Sequence, residues 1–344
     1  MEMNLRPRTL GEILDRTAQL YRENFLLFAG ISSVYAGVLL VMSLLQIGLQ
    51  EALRAAHLAG QFLWLMWTFS GLSMLLAFIF AGAAVAANNR AVGWVHLGET
   101  ATIRGAYSSI LPRMGRYLWL MTIAATMVWL PIMLLYVAYF ATIFMFARAK
   151  GQVGLVVAPQ DSHSMMILVV ASIVFALLLI PAMAYTVVMG LRYSLAVPAC
   201  VVENLKAREA IRRSIQLSKG SRGRIFLLGL LALTVQVGLI LVTQLFFIVS
   251  GYRHHGALSA EMRALQQVVA FFTNSFVGPI YATGLTLFYY DQRVRKEGYD
   301  IEWMMRSAGM TTAAPAMESE AAHAEEASQE PPSAALPEAG SVHE

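Results

Sequence analysis

The sequence predicts an all-α, polytopic membrane protein: six transmembrane helices, three cytoplasmic interfacial amphipathic helices and a three-fold pseudo-repeat. Composition, the spacing of uncharged windows and the placement of Lys and Arg carry that prediction. The 344-residue chain is 58% hydrophobic and 13% charged, with a mean hydropathy of +0.59, whereas about a quarter of residues are charged in soluble domains. Lipid is therefore the solvent for most of it. The single cysteine, Cys200, excludes an intramolecular disulfide and reads as a small apolar residue near a helix end.

The N-terminal segment, 1–24, holds a capping box between Thr9 and Glu12. Leu10, Ile13, Leu14, Thr17, Ala18 and Tyr21 then follow one helical face, with Glu12, Asp15, Arg16, Gln19 and Arg22 on the other. That pattern predicts an interfacial helix parallel to the membrane plane.

Uncharged windows follow at 25–50, 55–89, 117–147, 162–191, 225–252 and 264–290. Each exceeds the roughly 20 apolar residues that cross a bilayer core. Spans are placed at about 25–47, 62–87, 117–142, 165–190, 225–249 and 265–290, within a membrane domain of 25–305. The window at 55–89 begins with the weakly apolar His57 and Gln61, so it is assigned one span. Pro131, Pro181 and Pro279 fall inside windows and predict tolerated kinks. Gly82 with Ala81, Ala83, Ala84, Ala86 and Ala87 predicts close helix packing.

Lys and Arg gather on one side. The N-terminus, the 88–116 and 192–224 connections and residues 291–306 hold 20 of them, against five in the other connections. The positive-inside rule then puts both termini in the cytoplasm, as an even number of spans also requires. The amphipathic pattern starting at Leu10 recurs from Ile103 and from Ala207, each time ahead of two spans. These starts lie 93 and then 104 residues apart, which suggests pseudo-repeats of about a hundred residues. Residues 306–344, rich in Ala, Glu, Pro and Ser, predict a disordered acidic tail. Residues 307–344 carry seven glutamates and no Lys or Arg, leaving +11 on residues 1–306 of a chain whose net charge is +4.

Basic residues beside apolar runs point to anionic lipid headgroups, or to a membrane protein partner, and not to nucleic acid. The candidate contacts are Arg16, Arg22, Arg104, Arg113, Arg116, Arg208, Arg212, Arg213, Lys219, Arg293, Arg295 and Lys296. No window contains Asp, Glu, Lys or Arg, the groups that coupled transporters and proton pumps use within their spans. There is no P-loop, G-x-S-x-G or H-E-x-x-H motif. His57, His163, His254 and His255 lie in outer connections without metal-ligand spacing, so no cofactor or metal is assigned.

Glu203-Asn204, the A-I-R-R-S of Ala210 to Ser214 and the S-K-G of Ser218 to Gly220 resemble a bacterial integral membrane family. It is the family named for the membrane domain of glycerophosphoryl diester phosphodiesterase. The opening L-R-P-R-T-L-G-E-I-L-D-R-T-A-Q-L-Y-R-E-N-F and the closing Y-Y-D-Q-R-V-R-K-E-G-Y-D extend the resemblance from Leu5 to Trp303. It implies a helical module in a bacterial cytoplasmic membrane and assigns it no biochemical role. The family's hydrolysis belongs to a separate barrel with a His-Arg-Gly motif, which is absent here, and no connection or tail would hold roughly 250 residues. No catalytic residue is carried over. The function expected is a non-enzymatic module engaging anionic lipid or a protein partner. A transporter or channel for a lipid or small amphiphile is the alternative. An embedded lipid enzyme, for which only the histidines and the Glu203 and Asp291 regions offer groups, ranks last.

Overall fold

The computed structural model describes residues 7–58, 62–149, 162–253, 258–299, 301, 304 and 305. The chain forms two units, Met1–Lys296 and Glu297–Glu344. The tail at 306–344, with His254 and His255, lies outside the described residues.

In order, the helices are α1 (Leu10–Glu23), α2 (Phe25–Ala55), α3 (Leu63–His96), α4 (Ile103–Ile110), α5 (Met114–Ala149), α6 (Ser162–Tyr193), α7 (Ala196–Val202), α8 (Ala207–Ser218), α9 (Arg222–Arg253) and α10 (Ala260–Glu297). A 3₁₀ turn at Leu111–Arg113 joins α4 to α5, and no strand occurs among the described residues. Among the described residues six helices are long and apolar enough to cross a membrane, so the chain is a polytopic helical membrane protein. In the long second window one helix, α3, takes up the residues from Leu63 onward. Pro131, Pro181 and Pro279 are accommodated inside α5, α6 and α10. The Thr186 hydroxyl of α6 donates to the Val128 carbonyl at 3.1 Å, one turn before Pro131.

Local chemistry sets the starts of the short helices. In α1 the Glu12 amide donates to the Thr9 hydroxyl at 3.3 Å and the Thr9 amide to the Glu12 carboxylate at 2.7 Å. In α4 the Gly105 amide donates to the Thr102 hydroxyl at 3.0 Å, and in α8 the Lys206 amide donates to the Glu209 carboxylate at 3.1 Å. The N-cap positions Thr9, Thr102 and Lys206 lie 93 and then 104 residues apart. At those same offsets Ile13, Ala106 and Ala210 are buried, and so are Thr17, Ile110 and Ser214.

Those inward faces meet protein. The long helices overrun their apolar windows at the Arg-rich end of the bundle, called the basic end below, and the overruns supply the packing surface. A Cβ on Gly105 of α4 would touch Trp94 of α3, and the Ser214 hydroxyl of α8 donates to the Arg192 carbonyl of α6 at 2.7 Å. The Arg8 amide just ahead of α1 donates to Asp291 of α10 at 2.7 Å, and the Tyr21 hydroxyl donates to the Phe276 carbonyl. These anchor points are 15 residues apart on α10, about 22 Å at 1.5 Å per residue. Hence α1 lies along α10 and buries Ile13, Thr17 and Leu20 against protein, rather than resting its apolar face on lipid.

Burial is uneven. From Ala282 to Gln292 every residue of α10 is buried, whereas the apolar window of α6 contains no buried residue. The small residues Gly82, Ala83, Ala84, Ala86 and Ala87 of α3 are buried as their pattern predicts. At Gly82 a Cβ would come within 2.9 Å of the Leu118 side chain of α5, so any larger residue there would push that side chain aside.

Candidate functional site

Two carboxylates organise the basic end. Glu203 caps the end of α7 and receives the Arg213 Nε at 3.0 Å on both oxygens. Arg293 Nε stands 3.6 Å away, and the Tyr289 hydroxyl of α10 donates to the same carboxylate. Asp291, with its side chain 2% exposed, accepts from the Arg8 amide at 2.7 Å and from Arg295 Nε at 2.9 Å. Arg224 of α9 lies 3.8 Å from it. Arg295 also donates to the Arg8 carbonyl. Beside this pair the Ser221 hydroxyl donates to the Gln292 amide oxygen at 2.6 Å. A carboxylate removed from water is tolerated when cations and hydrogen bonds replace the solvent, and here both conditions hold.

Lys296 completes the junction by a different route. Its ammonium donates to the carbonyls of Gln216, Leu217 and Lys219 at 2.9, 2.9 and 2.8 Å. Those carbonyls end α8, where acceptors lack intrahelical partners and the helix dipole favours a cation.

The cations expected to meet lipid thus divide. Arg213, Arg293, Arg295 and Lys296 are engaged in the junction. Arg16 is half-buried and donates to Gln19 at 2.8 Å. Arg113 and Arg116 donate to the Asn204 side chain at 2.6 and 3.0 Å. Arg22 on α1, Arg104 on α4, Arg208 and Arg212 on α8 and Lys219 at its end are exposed and form no ion pair among the described residues.

Arg8, Arg224, Tyr289, Gln292 and Ser221 were not among the sequence candidates. The local signal for this cluster is Asp291 itself, a lone acid after an uncharged window and four residues before Arg295. Glu203 and Asp291, the carboxylates weighed for lipid chemistry, are both saturated by arginines. Among the described residues no group of three His, Cys, Asp or Glu is placed to hold a metal. His57 and His163 are exposed, and Cys200 is buried with its thiol donating to the Leu205 carbonyl at 3.3 Å.

Cavities adjoin α1 among the described residues. A small one of about 20 Å³, lined by Arg8, His96, Tyr290 and Asp291, has room for about one water, and His96 Nδ1 is buried without a partner. A larger one of about 310 Å³ lies between α1, α9 and α10, with Leu14, Tyr21, Leu231, Gln236, Val277 and Tyr281 in its lining. Burial pushes the Tyr21 phenol up to about 12, so at neutral pH it stays protonated and donates to Phe276.

Fold and junction together define a polytopic helical membrane module whose basic end is a buried, ion-paired knot. Residues 165–314 match the family model described as the membrane domain of glycerophosphoryl diester phosphodiesterase. Over those residues the chain is therefore similar to that membrane domain, and the described residues contain no sheet or barrel. No curated protein and no solved structure matches the chain.

Proposed function

We propose that this protein is a non-enzymatic module of a bacterial cytoplasmic membrane, with both termini in the cytoplasm and its basic end engaging anionic lipid headgroups. The observation that carries this reading is the division of the cations. Glu203 and Asp291 are saturated from within, which leaves Arg22, Arg104, Arg208, Arg212 and Lys219 exposed on or beside three short helices. A basic residue near an anionic leaflet contributes about 1 kcal/mol at most, so the exposed cations act as a sum. The excess of Lys and Arg at this end supports the cytoplasmic orientation.

We read α1–α3, α4–α6 and α8–α10 as three pseudo-repeats. Support comes from the matching N-cap and burial offsets. It also comes from the packing of each short helix against the end of a long helix from another repeat, with α1 on α10 closing the set.

The test is lipid enrichment around protein reconstituted in mixed vesicles of phosphatidylglycerol and phosphatidylcholine. Wild type should enrich phosphatidylglycerol several-fold at moderate salt, and Arg208→Gln/Arg212→Gln/Lys219→Gln should abolish most of the enrichment. Equal lipid shells for both proteins would remove the lipid reading and favour a protein partner on the same surface.

The cavity of about 310 Å³ favours a second reading, a carrier for a lipid or small amphiphile. Ala232 also lines it, and filling it with Ala232→Trp should then stop movement of a labelled lipid across vesicles that the wild type permits. Absence of such movement with wild-type protein sinks the carrier reading.

A further inference from the structure

Three arginines from two parts of the chain converge on the last turn of α7 and the residues just after it. Arg113 Nη1 donates to Asn204 Oδ1 at 2.6 Å. Arg116 Nη1 donates to the same oxygen at 3.0 Å and to the Asn204 carbonyl at 2.8 Å. Arg90, at the end of α3, donates to the Val201 carbonyl at 3.3 Å. All three lie within electrostatic reach of the Tyr117 hydroxyl, so they form one cluster.

The cluster has no carboxylate partner among the described residues. Glu203, its neighbour in sequence, is taken by Arg213, Arg293 and Tyr289. Two guanidinium groups therefore share one neutral amide oxygen, an arrangement in which like charges repel and the acceptor offers only two lone pairs. Each guanidinium has five N–H donors, of which the turn uses one or two. Arg113 is exposed and Arg116 half-buried, so the remaining donors are open to a ligand. Asn204 has φ +59°, a left-handed conformation that Asn tolerates better than most residues. The turn thereby holds its side-chain oxygen between the two cations.

Position along the chain sets the depth. Arg116 directly precedes the window that begins at Tyr117, and Arg90 directly follows the window that ends at Asn89. Arg90 lies 5.2 Å over the Trp94 ring, and Trp119 is exposed. Tryptophans of this kind mark the headgroup level of a bilayer.

We propose that Arg90, Arg113 and Arg116, set around Asn204, bind the headgroup phosphate of a membrane phospholipid. A phosphate presents several acceptor oxygens to donors that the turn leaves unused, and guanidinium forks suit that geometry. The site rests on the membrane-surface reading above for its depth, and it deepens that reading from a diffuse surface to one defined position. A free phosphate has the same chemistry, so the experiment separates the two sources.

The full chain is purified in mild detergent, retained phospholipid is counted by native mass spectrometry, and thermal melting is followed with and without inorganic phosphate. Wild type should retain one phospholipid, and Arg113→Gln/Arg116→Gln should lower its occupancy at least tenfold. Asn204→Gly, which keeps the positive-φ backbone and all three cations, should retain the lipid. Should the double variant fail to fold, Arg113→Gln alone, at the exposed position, should lower the occupancy in the same direction. Unchanged occupancy in the folded arginine variants overturns the proposal. So does a wild type that carries no phospholipid and melts higher with inorganic phosphate, because the ligand would then be a free phosphate. The Arg208→Gln/Arg212→Gln/Lys219→Gln protein decides the surface reading separately. Its lipid shell can match wild type while Arg113→Gln/Arg116→Gln still loses the single retained lipid.

Discussion

Between Ala282 and Gln292, α10 is enclosed on all sides although the stretch contains Thr283, Thr286, Asp291 and Gln292. In α6 the apolar window is wholly unburied, and Ile173, Leu177 and Ile180 face outward. The two regions invert the arrangement of a soluble protein, and the cause is the solvent. Against lipid an aliphatic side chain gains almost nothing by moving inside, whereas an unpaired polar group loses heavily by staying outside. The polar residues of α10 are therefore gathered where other helices can satisfy them. Thr286 donates to Asn89 of α3, Tyr289 to Glu203, and Asp291 receives Arg8 and Arg295. Burial concentrates at the basic end, and the apolar window of α6 takes no part in it.

This comparison can be broken by mutation, beginning where the expected effect is largest. Asp291→Ala leaves Arg295, Arg224 and the Arg8 amide without their shared partner. It should cost about 3–5 kcal/mol, the range for breaking a buried ion pair. The measurement is thermal unfolding in detergent, paired with hydrogen exchange, which should rise along α1 as its anchor is lost. A melting temperature equal to wild type would mean that this carboxylate is not what holds the knot.

An intermediate effect is expected at Gly284 of α10. A Cβ there would lie 3.2 Å from Leu228 Cδ1 of α9, so Gly284→Val should destabilise by about 1–3 kcal/mol through overpacking. Restoration of the melting temperature on adding Leu228→Ala would locate the clash at that contact. At the small end, Leu177→Ala on the outward face of α6, where Leu177 is 62% exposed, should change stability by less than about 0.5 kcal/mol. A loss comparable with that of Asp291→Ala would show that α6 is covered in the membrane, and the contrast between the two regions would disappear.

The membrane helices were legible because their signal is local and long. Each uncharged window lies within one helix or, at 55–89, is dominated by one, α3. Helix starts were legible for a similar reason, since Thr9 and Glu12 close their capping box across three residues. The orientation of α1 was not legible. Its face pattern of Ile13, Thr17 and Leu20 says that something covers it, and lipid and α10 satisfy that pattern equally well. Only the contacts of Arg8 and Tyr21 decide for α10.

The division of the cations was hidden for a related reason. Arg212 and Arg213 are adjacent in a basic run, yet one is exposed and the other clasps Glu203. Neighbours in a helix point about 100° apart, so partner choice depends on what surrounds α8.

By itself the sequence determined the class, the number of apolar helices, the starts of α1, α4 and α8 and the end at which positive charge collects. These follow from hydrophobicity, capping and net charge, which act over a few residues to a few turns. Tertiary structure alone decided which charges remain available. Arg8 and Asp291 are 283 positions apart and Arg113 and Asn204 are 91 apart. Pairing at such separations depends on helix packing, and no local pattern records it.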